Sequence, residues 1–162
     1  MRRTALFLTA AALVVGAANL SAQAPNFAGH WMLVVDPNAT PPAGRGGGGG
    51  LGADVTITQD ASTLTTTRTT QNGPVATVYK LDGSDSKNMM AGRGGNPGTE
   101  VTSHAKWDGA KLVVSTTRNM GGNDVTTTMT LSMDGAGNLV VQNTRPGQDG
   151  TPVTTTQTYK KS

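Results

Sequence analysis

Apolar and polar positions trade places at period two along most of the chain, in nine stretches: 29–36, 53–60, 62–70, 74–81, 99–107, 110–118, 124–133, 138–144 and 151–160. Threonine and valine dominate them. Both suit a pleated, half-buried surface, and this alternation is the signature of a strand with one face turned inward. No stretch beyond the N-terminal segment carries a helical period. Turn residues punctuate the pattern. Asp82-Gly83, Asp108-Gly109 and Asp134-Gly135 each end a strand, 26 residues apart, in the segments YKLDG, AKWDG and LSMDG. Asp-Gly is favoured in tight hairpins because both residues tolerate positive φ at low cost. A repeat of that length holds roughly two strands and two turns. Gly121-Gly122-Asn123 and Gln148-Asp149-Gly150 mark further turns, and Asp60-Ala61 a degenerate one.

The expected fold is all-β: an antiparallel up-and-down meander of about nine strands. Sequential antiparallel strands must hide their edges, and closing into a small barrel does so most simply. A sandwich, or an open meander that dimerises, is the alternative. Two connectors rich in Gly and Pro interrupt the pattern, at 37–52 and 83–98, and both contain the motif AGRGG. Three strands separate them in this count. An odd number places them at opposite ends of the barrel, where Arg45 and Arg93 cannot share a ligand.

The N-terminus changes the picture of compartment. Arg2-Arg3 precedes an apolar run from Ala5 to Ala18, and Ala22-Gln23-Ala24 supplies a small-x-small cleavage pattern. These are the parts of a secretory signal peptide, 1–24, cut after Ala24, which leaves a single domain over 25–162 in the periplasm or secreted. The apolar run is shorter than the ~20 residues of a spanning helix, so no membrane span is expected in the mature form. Two of the 13 Lys and Arg leave with this segment and none of the 10 acids, so the net charge falls from +3 to +1. That balance gives no reason to expect a nucleic-acid partner. The chain has no cysteine, which excludes disulfides and thiolate chemistry.

Asn26-Phe27-Ala28-Gly29-His30-Trp31 resembles the opening strand of the lipocalin and fatty-acid-binding proteins, whose first strand carries Gly-x-Trp. Asn138-Leu139-Val140-Val141 with Thr155-Thr156-Gln157-Thr158-Tyr159-Lys160-Lys161 is similar to the closing hairpin of the fatty-acid-binding branch. The resemblance implies a calycin-like barrel, a lumen that binds a small molecule, a Trp31 that plugs one end, and a wider gap between strands near 83–98. Two departures qualify it. The branch carries a helical lid after its first strand, where 37–52 is too rich in Pro and Gly to hold a helix. It also often ends in Arg-x-Tyr, which grips a carboxylate, where this chain has Gln157-Thr158-Tyr159. Gln157 offers only neutral hydrogen bonds, so a small neutral or lipophilic ligand is expected.

Catalytic chemistry finds no constellation. Gly47, Gly49 and Gly52 match GxGxxG only because polyglycine does, and a strand rather than a helix follows. His30 and His104 are the only histidines, without the local spacing of a metal site, so neither metal nor cofactor is expected. No GxSxG occurs, and Glu100 is the sole glutamate. The functional expectation is an exported non-enzymatic small-molecule-binding or carrier protein. Gln157, Tyr159, Tyr79 and Trp107 contact the ligand in this reading. The alternative is a cell-envelope structural or interaction protein with no specific ligand. Several strands place threonine on both faces, and buried hydroxyls need partners, which a wet or polar lumen would supply.

Overall fold

The computed structural model describes residues 24–35, 50–70, 73–90, 98–147 and 149–162. The signal-peptide reading therefore falls outside the described residues except at Ala24, as do most of the first connector, Arg45 and Arg93. Ten strands follow one another: β1 (Gly29–Leu33), β2 (Asp54–Gln59), β3 (Thr63–Thr70), β4 (Gly73–Lys80), β5 (Asp85–Met90), β6 (Thr99–Asp108), β7 (Lys111–Met120), β8 (Asn123–Met133), β9 (Leu139–Pro146) and β10 (Pro152–Lys161). They form one antiparallel sheet in the order β4-β3-β2-β1-β10-β9-β8-β7-β6-β5. The two chain-terminal strands pair in the middle, with Trp31 opposite Lys161 and Leu33 opposite Tyr159. The sheet curls into a nearly closed barrel, consistent with the calycin-like arrangement. No helix occurs among the described residues.

The barrel closes between β4 and β5, but not by a backbone ladder. The Asn88 amide accepts from the Val78 N–H at 2.9 Å and donates to the Val78 carbonyl at 2.9 Å, in the manner of a neighbouring strand. Beside it the Ser86 hydroxyl accepts from the Lys80 N–H at 2.8 Å. Two side chains on β5 thus satisfy three backbone groups of β4 across the seam.

β5 is the strand that hydrophobic patterning overlooks. It lies inside the segment read as the second connector, because DSKNMM turns Ser86 and Asn88 rather than aliphatic residues toward β4. The extra strand also overturns the parity expectation. Four strands now separate the two connectors, so the chain leaves β1 and re-enters at Gly50 at the same end where it leaves β5 and re-enters at Gly98. We call this the open end.

The opposite end is packed shut. Phe27, Trp31, Ile57, Leu64, Leu112, Leu131, Leu139 and Val141 are all fully buried there. Each contributes about 1.5–3 kcal/mol by leaving water. The segment before β1 crosses the opening: the Phe27 N–H donates to Gln59 Oε1 at 2.9 Å, and Gln59 Nε2 donates to the Pro25 carbonyl at 3.1 Å. Trp31 Nε1 donates to the Phe27 carbonyl at 2.8 Å, and the Phe27 ring stacks on Trp107 at 5.8 Å between centroids. Trp31 is thus part of the plug, as the opening-strand motif implied. His30 points the other way and meets Asp54 at 2.8 Å on the outer face.

The hairpins differ from expectation in one chemical detail. Among the described residues none other than glycine has positive φ. Asp60, Asp82, Asp134 and Asp149 therefore act through their carboxylates and not through backbone tolerance. Asp60 Oδ atoms accept from both the N–H and the hydroxyl of Ser62 and of Thr63, at 2.7–2.9 Å. Asp134 accepts from Ala136, from Asn138 and from the Asn138 amide, and Gly137 rather than Gly135 takes the positive φ. Gly121 and Gly122, at φ 62° and 91°, form the two-residue turn in which both central residues need that region.

Candidate functional site

Polar residues replace apolar ones on the inner face toward the open end. The inward row nearest the plug runs Trp107–Leu112–Leu131–Val141 across β6 to β9. The next reads Ala105–Val114–Met129–Asn143, and the one beyond it Ser86–Ser103–Thr116–Thr127. Here the barrel is not filled. A cavity of about 140 Å³ lies between these polar rows and the re-entering Gly50–Leu51 segment, with Thr66, Arg68, Thr77 and Tyr79 on the β3–β4 wall and Met89 and Met90 at its edge. It is smaller than the ~300–1,000 Å³ of most sites for drug-sized ligands.

Hydrogen bonding inside the cavity is partly internal. Ser103 Oγ and Thr116 Oγ1 bond to each other at 2.8 Å. Burial raises the Tyr79 phenol above its usual pKa, partly offset by the Arg68 charge and by a bond with Thr66, so it stays a neutral hydroxyl. Among the described residues two buried side-chain donors, Asn143 Nδ2 and Arg118 Nε, make no hydrogen bond. Asn143 is only 8% exposed and lines the cavity. Arg118 lies one step further toward the open end, its Nη1 directed at the Met90 sulfur at 3.8 Å. A buried polar group without a partner costs about 1–3 kcal/mol, so such groups mark places where something else is accommodated.

Three of the four residues expected at the ligand reach the cavity or its surrounding wall, in two different positions. Tyr79 lines the cavity. Gln157 and Tyr159 stand behind the wall. The Tyr159 hydroxyl donates to the Gly52 carbonyl at 2.9 Å and lies 3.4 Å from Gln157 Oε1. Gly50 rests so close to the Gln157 amide that a Cβ there would collide with it. These two side chains hold the segment that forms the cavity's roof. Trp107 is elsewhere, stacked on Phe27 at the plugged end. Sequence reasoning missed Asn143, Arg68 and Arg118. A signal existed for each: Asn143 breaks the inward apolar series Leu139, Val141, and the arginines extend the inward series Leu64, Thr66 and Val114, Thr116.

Outside the barrel, threonines satisfy one another across strands. Thr117 meets Thr126 at 2.9 Å and Thr144 meets Thr154 at 2.8 Å. His104 pairs with Asp85 at 3.2 Å and Lys87 with Glu100 at 3.3 Å, also on the outer face. Among the described residues no group of three His, Asp or Glu side chains is placed to hold a metal ion. No family model matches the chain, and no curated protein matches it.

Proposed function

We propose that this chain is an exported, non-enzymatic binding protein of the lipocalin and fatty-acid-binding kind, which carries one small polar molecule in the open end of its barrel. The observation that carries this reading is a cavity, open on one side, whose wall holds a buried donor with no partner, Asn143 Nδ2. A barrel whose only task is structural gains nothing from such a group, and an aliphatic side chain there would be more stable. The plug around Trp31, the seam between β4 and β5 and the β1–β10 pairing support the kinship. The N-terminal Arg2-Arg3, apolar run and Ala-x-Ala support export. The polar rows and small volume favour a compact polar ligand over a lipid chain. Tyr79 and Asn143 touch it in this reading, while Gln157 and Tyr159 act through the Gly50–Gly52 roof. The alternative envelope role on a threonine-rich outer face is less favoured, because those hydroxyls already bond to one another.

Native mass spectrometry of the protein purified from its own host tests the reading. A small molecule that co-purifies, and is lost in Asn143→Leu while the fold is retained, is the expected result. An empty barrel that shows no thermal shift across a panel of polar metabolites would overturn it.

A further inference from the structure

The arginines of the barrel share one end. Among the described residues the arginines are Arg68, Arg118 and Arg145, and all lie on the open-end halves of their strands with inward register. Of the described lysines, Lys80, Lys106, Lys111, Lys160 and Lys161 lie toward the plugged end, whereas Lys87 stands on β5 opposite Thr102, on the outer face beside Glu100. The ion pairs present join His30 to Asp54, Lys87 to Glu100 and His104 to Asp85. None of these reaches an arginine, so among the described residues Arg68 lines the cavity without a carboxylate partner.

Asn143 Nδ2 is the buried donor without a partner, and the half-buried Arg68 guanidinium on the same cavity wall supplies a positive charge that an anion in the cavity would meet. The donors suit one shape of ligand. Guanidinium groups fit the paired oxygens of a carboxylate, phosphate or sulfate, and Asn143 Nδ2 adds a neutral donor from the cavity floor. No carboxylate lines the cavity to hold a cation, and the volume is small for a long acyl chain.

We infer that the bound molecule is a small oxyanion, phosphate-like, sulfate-like or a short carboxylate, gripped by Arg68 and Asn143 with Arg118 at the mouth. This rests on the binding reading above and replaces the neutral ligand expected from Gln157. Affinity then falls as salt rises, since the arginines stand near solvent.

Isothermal titration calorimetry on the purified chain tests this with inorganic phosphate, sulfate, succinate, the neutral polyol erythritol, and palmitate as a long-chain control. The expected result is saturable binding of at least one small oxyanion, weakened at least about tenfold in Arg68→Gln and in Asn143→Ala. Retention in Arg68→Lys of more affinity than in Arg68→Gln fits a charge contact. Should Asn143→Ala fail to fold, Arg68→Gln and Arg118→Gln serve, with circular dichroism to verify the barrel. Erythritol binding without anion binding overturns the oxyanion and leaves the carrier standing. Palmitate binding alone also overturns it. Anion binding unchanged in all three variants places the ion elsewhere and overturns it. If nothing in the panel binds, both readings fall.

Discussion

Asp60 holds four hydrogen bonds in the β2–β3 turn, and they keep its carboxyl at a pKa of about 2. Asp82, Asp134 and Asp149 are lowered in the same way by their own turns, with Ser84, Asn138 and Thr151 as the main donors. Each lowered value means that the folded chain favours the charged form. The stabilisation is therefore complete above the ordinary carboxylate pKa, near 4, and is lost as pH falls toward 2. A thermal melt followed between pH 6 and pH 2 should show Tm dropping through that window, and Asp60→Ala should flatten the drop as well as lower Tm at pH 6. At the other kind of residue, the Tyr159 hydroxyl is judged by what it leaves behind. Tyr159→Phe should cost about 1 kcal/mol in urea denaturation, by leaving the Gly52 carbonyl short of a donor. It should also weaken any ligand that needs the roof in place. The turn aspartates were legible in the sequence as turn markers, though the mechanism was not: φ tolerance and carboxylate capping predict the same residue at the same place. Asn143 was less legible, since a single Asn on a strand reads as an exposed position until the register with Leu139 and Val141 is known.

Strand alternation predicted every strand except β5, with ends shifted by a few residues. The miss has a physical cause. Period-two patterning detects strands that bury aliphatic side chains, whereas β5 spends its inward positions on imitating a backbone, through Asn88 toward Val78 and Ser86 toward Lys80. Sequence composition at 83–98 therefore reads as a connector. This seam is also the place where the sheet should open first. Asn88→Ala removes the partners of both polar groups of Val78, and a loss of roughly 1–3 kcal/mol is expected in denaturant unfolding. Hydrogen exchange at the amides of Val78 and Lys80 should speed up before that of β8 and β9, whose ladders are complete. By contrast Leu131→Ala, at the fully buried middle of the plugged half, should cost about 2–5 kcal/mol and destabilise the barrel as a whole.

At the scale of the molecule, the even strand count puts the described flanks of both glycine-rich connectors at the cavity end, and the meander brings the inward Arg68 and Arg118 to that same end. Nothing in local pattern announces either property, because each depends on counting strands correctly through β5. The same topology has a consequence for how the chain is wired. All strand pairs but one join sequence neighbours. The exception is β1 with β10, where Leu33 sits opposite Tyr159 and the Ser162 N–H donates to the His30 carbonyl at 3.0 Å. Linking Ser162 to Pro25 through a short spacer and opening the chain at Gly83 would give a circular permutant whose sheet order matches its sequence order throughout. Its new ends would fall at the seam, which no backbone ladder crosses. The long loop that must close before β1 meets β10 would become a local hairpin, and folding rates rise as contacts become local. Such a permutant should refold faster than the natural order in stopped-flow fluorescence of Trp31 and Trp107. Equal or slower refolding would mean that the β1–β10 pairing forms after the rate-limiting step.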